Sequence, residues 1–374
     1  MRNLVRIAPG ALELGRPLPW NVYDADGNVL LRQGYVIQTN SQLEQLFERG
    51  RFEPRKIERP HEEIFEDARE RNPFADYPDL LHALETTLNA ITEGDPSAQK
   101  QLMGLSRMIE RTCSEAPDAS LALVHLYSIG PNILEQTLFY AILSQFVARQ
   151  FGLEEKRISV LTAAALTANL ALVPVADQLN ASNKLLTDDQ RNVIQKHPQR
   201  SIQALQAAGI NNKLMNTIIA QHHEQADGSG YPQGLSGSDI RPEAEILALS
   251  ERYVAMITKR AYRARMNVAD ARRLIATLGD GKFRPAIPRA LLQVLGDYPP
   301  GILVRLDNNE VGVVTSRPLR ARGPFVQAIF GPRGNRYNGT FERDTSLLEF
   351  NIRALEEPEI MPSMDFSRIW GFRT

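Results

Sequence analysis

The residues most able to do chemistry are His222 and His223, which stand side by side and are followed by Glu224-Gln225-Ala226-Asp227-Gly228-Ser229-Gly230-Tyr231-Pro232. Imidazoles are metal ligands and proton carriers at neutral pH. Adjacent residues in a helix point about 100° apart, so the pair can share one ion only if the helix stops there. The apolar helical pattern from Leu214 to Ala220 and the glycines at 228 and 230 place such a stop at this point. A plain helix C-terminus, which also favours His and Gly, accounts for the pair without any ligand. His61, His82 and His125 have no second candidate ligand beside them and read as surface or core residues.

The same stretch resembles the HD-GYP phosphohydrolases, bacterial enzymes that hydrolyse cyclic di-GMP. The likeness rests on HHEQADGSGYP, QGLSGSDIRPEAEILALSERYVAMI and KRAYR, and it covers roughly residues 131 to 296. It implies a phosphodiester site in which metal ions neutralise phosphate oxygens and lower the pKa of a water. The family draws its ligands from a His on the first core helix, a His-Asp pair on the second and a His on the third. The His-His pair and an Asp on the next helix complete the set.

Laid along that pattern, His197, His222 and His223 match, and the last aspartate falls on Glu251. The first-helix position falls on Gln136. The His-Asp pair after Ala165-Leu166-Thr167 falls on Ala168 and Asn169, and the lysine position that follows is Leu172. Ala168 cannot ligate, and Asn169 offers a neutral oxygen where a bridging carboxylate belongs, so two cations would repel with less charge between them. The expectation is no catalytic residue, no second metal, and either no cofactor or one transition metal ion (zinc, iron or manganese). That ion would sit on His197, His222 and His223, assisted by Glu251, with a position open to water. The alternative is that the three histidines are merely hydrogen-bonded residues of an old cleft.

The resemblance also assigns Arg260 and Arg263, in KRAYR, to the nucleotide, where arginine pairs with phosphate or stacks on guanine. Surface charges near a helix end are the plainer account. Ser229, Gly230, Tyr231 and Pro232 are intact. An exposed tyrosine stiffened by proline would make an anchor for a diguanylate cyclase or adaptor protein.

The elements that must position these residues are helical. Ile133 to Phe151 is a mostly apolar helix stopped by Gly152, and Ile158 to Val173 is a second. Thr187-Asp188-Asp189-Gln190 opens a third with a capping box. Pro198 is expected to interrupt it and to push His197 toward an extended backbone. Further helices are expected from Asn212 to His223, from Pro242 to Ile257, from Asn267 to Leu278 and from Pro288 to Leu295. The predicted fold is mainly α, an HD-domain-like helical bundle between two small modules. Residues 1–58 form a mixed α/β module, 59–130 a helical linker region, 131–296 a degenerate HD-GYP domain, and 297–374 a β-rich module with a hairpin at Asp307-Asn308-Asn309-Glu310.

The bulk composition sets limits. Lys+Arg 43 against Asp+Glu 44 leaves a net charge of -1, so no global basic field would hold DNA or a membrane surface. One cysteine, Cys113, excludes internal disulfides and thiolate clusters and fits a cytoplasmic location. Ile158 to Ala176 is uncharged and long enough to test as a membrane span, but its Ser, Thr, Asn and Pro residues favour a buried core helix. The helical stretch 77–125 could support a homodimer. The functional expectation is a cyclic di-GMP signalling protein acting as nucleotide sensor or interaction scaffold with little or no hydrolysis. Against it stand a phosphodiesterase with a reduced metal site and a purely structural interaction protein.

Overall fold

The computed structural model describes residues 4–7, 12, 14–15, 17–18, 20–52, 71–128, 130–182, 185–259, 263–318, 323–357 and 364–372. Near the N-terminus, β1 (Val5–Arg6), β2 (Val22–Tyr23), β3 (Val29–Leu31) and β4 (Arg51–Phe52) form an antiparallel sheet in the order β1-β4-β2-β3. Asp24 turns the chain between β2 and β3 by accepting the backbone N–H of Asp26 and of Asn28. Helix α1 (Asn40–Arg49) starts where the Thr39 hydroxyl accepts the Gln42 N–H, and it covers this sheet with Leu43, Leu46 and Phe47.

The body of the molecule is helical: α2 (Pro73–Glu93), α3 (Ala98–Glu115), α4 (Pro117–Leu126), α5 (Ile133–Phe151), α6 (Glu155–Thr167), α7 (Val173–Ala181), α8 (Asp188–Ala207), α9 (Lys213–Gln221), α10 (Pro242–Ile257), α11 (Val268–Leu278) and α12 (Ala286–Leu295). Helix α5 is the central element. It begins in a capping box of Asn132 and Glu135, ends at left-handed Gly152, and is buried on nearly every face. Positions 73–126, expected as a helical linker, instead share one hydrophobic core with the helices beyond 130. Phe74, Leu84, Leu105 and Leu121 belong to the same cluster as Phe139, Leu161, Leu247 and Leu291.

Two expectations about the helices fail for backbone reasons. The apolar run from Ile158 to Val173 is not one helix. It stops at Thr167, passes Ala168 and Asn169, makes a short 3-10 turn at Leu170–Leu172, and restarts as α7 with Pro174 in its first turn. Conversely, Pro198 does not interrupt α8, which runs unbroken from Asp188 to Ala207. The uncharged segment tested as a membrane span lies largely buried among neighbouring helices of this core.

After α12 come β5 (Leu303–Leu306), β6 (Val311–Val314), β7 (Phe325–Phe330), β8 (Arg336–Asp344) and β9 (Ile352–Glu356), an antiparallel sheet in the order β8-β7-β6-β5-β9. The hairpin at 307–310 forms as expected, with Asn309 left-handed at φ 69. The short α13 (Phe366–Ile369) packs Phe366 against Phe74 of α2. The Arg317 guanidinium reaches Asp118 of α4 at 2.5 Å, tying the sheet module to the bundle.

Candidate metal centre

Three histidines, two from the end of one helix and one from the interior of another, converge. The nearest ligand atoms of His197, His222 and His223 all lie within 4.8 Å of one another. Helix α9 ends at Gln221, so the adjacent His222 and His223 fall in the turn that follows and their rings lie 4.0 Å apart. This is the condition under which neighbours can serve one ion.

Two of the imidazoles are aimed by main-chain carbonyls. His197 Nδ1 lies 2.5 Å from the Ile194 oxygen and His222 Nδ1 lies 2.7 Å from the Ile219 oxygen. A carbonyl oxygen only accepts, so both Nδ1 atoms carry the proton and both Nε2 atoms present lone pairs. Those Nε2 atoms face each other at 3.3 Å. Two lone pairs so placed repel unless a proton or a cation lies between them. An ion at a usual nitrogen bond length of ~2.1 Å from each would subtend about 104°, close to a tetrahedral angle. Burial pushes His197 and His222 down to about 4 and His223 well below its ordinary value, so all three are neutral ligands at pH 7.

The fourth side of the cluster is made by α10 and the break after α6. Glu251 Oε2 lies 3.9 Å from His222 Nε2. Asn169 donates its amide to Glu251 Oε1 at 3.2 Å and to the Tyr140 hydroxyl at 3.0 Å. The Tyr140 hydroxyl also meets Thr137 Oγ1 at 2.8 Å. With its NH2 group committed in this way, Asn169 presents a buried Oδ1 that has no hydrogen-bond partner among the described residues. Neutral imidazoles, one carboxylate and an orphaned amide oxygen fit one transition metal ion. They do not fit a pair, because no carboxylate occupies the bridging position. Ala168 is fully buried against the core, and Gln136 turns its amide to the Pro131 carbonyl at 3.1 Å.

The loop after His223 is held by its own backbone. Gly230 crosses so closely that a Cβ there would sit 2.4 Å from Glu224 Cα and 2.5 Å from the His223 oxygen. Tyr231 N–H then donates to the His223 carbonyl at 3.1 Å, and the Tyr231 ring stacks on the His223 ring at 4.7 Å and 24°. Tyr231 is therefore half-buried over a candidate ligand, which corrects its expected exposure as a docking anchor. Ser229 and Pro232 beside it are exposed. Glu224, 1% exposed, accepts the N–H groups of Gln233 and Leu235 and closes the loop. Lys282 pins Asp227 at 2.6 Å, and that contact holds the Asp227 carboxyl well below the usual range.

Sequence reasoning missed Tyr140, Thr137 and Glu224. Tyr140 lies one helical turn from Gln136, a spacing that could have drawn it into the site. Arg260 lies outside the described residues. Arg263 is exposed and gives its guanidinium to the Ala255 carbonyl. A cavity of about 490 Å³ opens beside the cluster, lined in part by Asn169, His197, His223, Tyr231 and Glu251.

This arrangement of helices around a histidine cluster defines an HD domain, and the family model described as HD domain matches residues 105–287. That stretch belongs to the HD family and is of the HD-GYP kind. It starts in α3, earlier than the sequence likeness placed it. A cyclic di-GMP phosphodiesterase of Pseudomonas aeruginosa is 30% identical over 218 residues, 58% of this chain and 52% of that protein. A cyclic di-GMP phosphodiesterase response regulator of Xanthomonas campestris is 31% identical over 150 residues, 39% of each chain. The chain thus spans about half the length of these curated relatives, or less. Among solved structures, an HDG"Y"P protein from Bdellovibrio bacteriovorus shares the fold, with a TM-score of 0.56 and 18% identity over 78% of this chain and 99% of that one.

Proposed function

We propose that the chain works in cyclic di-GMP signalling as a non-hydrolysing HD-GYP protein, whose HD domain holds one transition metal ion and whose output is the regulation of other proteins. The relatives supply the pathway, since they are cyclic di-GMP phosphodiesterases. One observation carries the loss of hydrolysis: at the bridging position stands Asn169, its amide spent on Glu251 and Tyr140. A bound ion would supply Lewis acidity toward an anionic oxygen. His197, His222 and His223 would hold it, and Glu251 would balance part of its charge. Nothing in the donor set would hold a second ion beside it.

Between a nucleotide sensor and an interaction scaffold, the geometry favours the scaffold. Arg263, one of the two arginines expected to meet the nucleotide, is turned to the Ala255 carbonyl. The partner would be a diguanylate cyclase or an adaptor in the cytoplasm, met at the exposed Ser229 and Pro232 rather than by Tyr231. The intact histidine triad supports one competing reading, a slow metal-dependent phosphodiesterase.

Metal analysis of chelator-free protein, paired with a cyclic di-GMP turnover assay, tests the proposal. One metal ion per chain and no turnover above the metal-free control is the expected result. Two ions per chain, or turnover that His197→Ala abolishes, would overturn it.

A further inference from the structure

We infer that Tyr140, held by Thr137, is a positioning residue of the metal centre: it fixes which end of the Asn169 side chain is left for a cation, and it admits an amide at that position but not a carboxylate. This role deepens the one-metal reading above and rests on it for the ion, while the hydrogen bonds that carry it stand without one.

The direction of each contact follows from one fixed acceptor. Thr137 Oγ1 donates to the Ile133 carbonyl at 2.8 Å, and a carbonyl only accepts. Thr137 has no second hydroxyl proton, so at its 2.8 Å contact with Tyr140 the tyrosine is the donor. That commits the one proton of a buried phenol, and the Tyr140 oxygen can then only accept. It lies 3.0 Å from Asn169, so the Asn169 atom facing it must carry hydrogen. Glu251 Oε1, 3.2 Å from the same atom, makes the same demand. Nδ2 meets both with one hydrogen each. Turning the amide over would set Oδ1 against two acceptors.

Oδ1 is therefore the free end. It is buried, has no hydrogen-bond partner among the described residues, and belongs to a side chain that lines the same cavity as His197, His223 and Glu251. A buried oxygen left unpaired costs free energy, and a cation held by the histidines would remove that cost. An aspartate at position 169 would instead point an oxygen at both the Tyr140 oxygen and Glu251. Tyr140 could turn its proton to that aspartate only by giving up Thr137.

Two measurements on the full chain test this: zinc titration against a chelating dye, and thermal melting of the metal-free protein. Tyr140→Phe keeps the ring and removes the hydroxyl. Its zinc affinity is expected to fall about tenfold or more, with one zinc still bound per chain. Thr137→Val removes the acceptor of the Tyr140 proton at nearly constant shape. In the otherwise unaltered protein it should lower the melting temperature. In Asn169→Asp it should raise it, because the freed Tyr140 proton turns to the new carboxylate. A hydroxyl that serves packing alone would give additive losses. Additive losses, or a zinc affinity that Tyr140→Phe leaves unchanged, would overturn the inference. Zinc content and cyclic di-GMP turnover are measured on the unaltered chain. Two ions per chain or hydrolysis of the nucleotide defeats the functional proposal, whereas a one-metal inactive chain with additive losses defeats only the role given to Tyr140.

Discussion

His197 and Ile194 are joined by a contact that a proline makes available: Nδ1 of the histidine lies 2.5 Å from the Ile194 carbonyl oxygen. In an unbroken helix that carbonyl accepts the N–H of the residue four positions on. Here that residue is Pro198, which has none. The helix therefore continues with one acceptor left over, and the imidazole takes it. His222 does the same at the end of α9, where the Ile219 carbonyl lies beyond the last helical hydrogen bonds. Orientation of both rings, and the tautomer that frees Nε2, follow from helix defects. Pro198→Ala restores a competing N–H. The helix should gain stability, since proline costs up to ~3 kcal/mol inside a helix. Zinc affinity should fall about tenfold or more, as it does when a ligand loses its orienting partner. Zinc titration followed by competition with a chelating dye measures it; unchanged affinity would mean that Pro198 has no share in aiming His197.

Restoring the missing ligands should restore the second ion. Asn169→Asp alone places a carboxylate next to Glu251, and like charges at that distance destabilise the metal-free protein. Its melting temperature should drop without metal and rise more steeply than the wild type's when zinc is added. Ala168→His with Asn169→Asp should bind two metal ions per chain and gain measurable cyclic di-GMP hydrolysis. If the double variant still binds one, the limit lies in the scaffold and not in these two side chains.

Much of the site was legible because its chemistry is local in sequence. The histidine pair, the glycine at 230 and the loop that follows lie within one short stretch, and the ligand losses at Ala168 and Asn169 are read by register alone. The contacts that hold Asn169 were not legible, because Tyr140 and Glu251 reach it from two other helices. Position 198 was misread for a different reason. Proline's cost to a helix is judged from the backbone, and the compensating donor is a side chain whose position only the fold supplies. Tyr231 was misplaced likewise, since sequence says that a loop tyrosine is stiffened but not what it lies against. The helices before 130 carried a plain apolar stripe, yet nothing in the stripe says which core it joins.

The loop makes a steric prediction. Gly230→Ala would drive a methyl group to within 2.4 Å of backbone atoms of Glu224 and Gln225, where nothing flexible can yield. It should destabilise the protein by about 2 kcal/mol or more and weaken zinc binding with it. Tyr231→Ala separates the two effects. Loss of an aromatic stack is worth ~0.5–1.5 kcal/mol, so zinc affinity should fall up to about tenfold. Tyr231→Phe keeps the ring and should bind as the wild type does. A pull-down with a diguanylate cyclase that fails for Tyr231→Ala and survives in Tyr231→Phe would tie docking to loop shape and not to the hydroxyl.

His125 predicts a pH dependence independent of the metal site. Its ring is buried between the helical core and the sheet module, with Nδ1 2.8 Å from the Pro300 carbonyl and Nε2 2.8 Å from the Tyr253 hydroxyl. Burial outweighs the carbonyl contact and pushes its pKa down from 6.5 to about 4. A lowered value means that the unfolded chain binds a proton which the folded chain refuses, so this contribution to stability is complete above pH 6.5. It declines as the pH falls through the window down to about 4, below which both states are protonated and the loss stops. Across that window the loss is about 3 kcal/mol at ~1.4 kcal/mol per pH unit. His125→Gln keeps a donor and an acceptor but does not titrate. Urea unfolding of both proteins at pH 7.5 and pH 4.5 should show the wild type losing more stability than the variant. The histidines of the metal site contribute equally to both and cancel. Parallel losses in the two proteins would mean that His125 is protonated in the folded state, and that the junction it seals admits water.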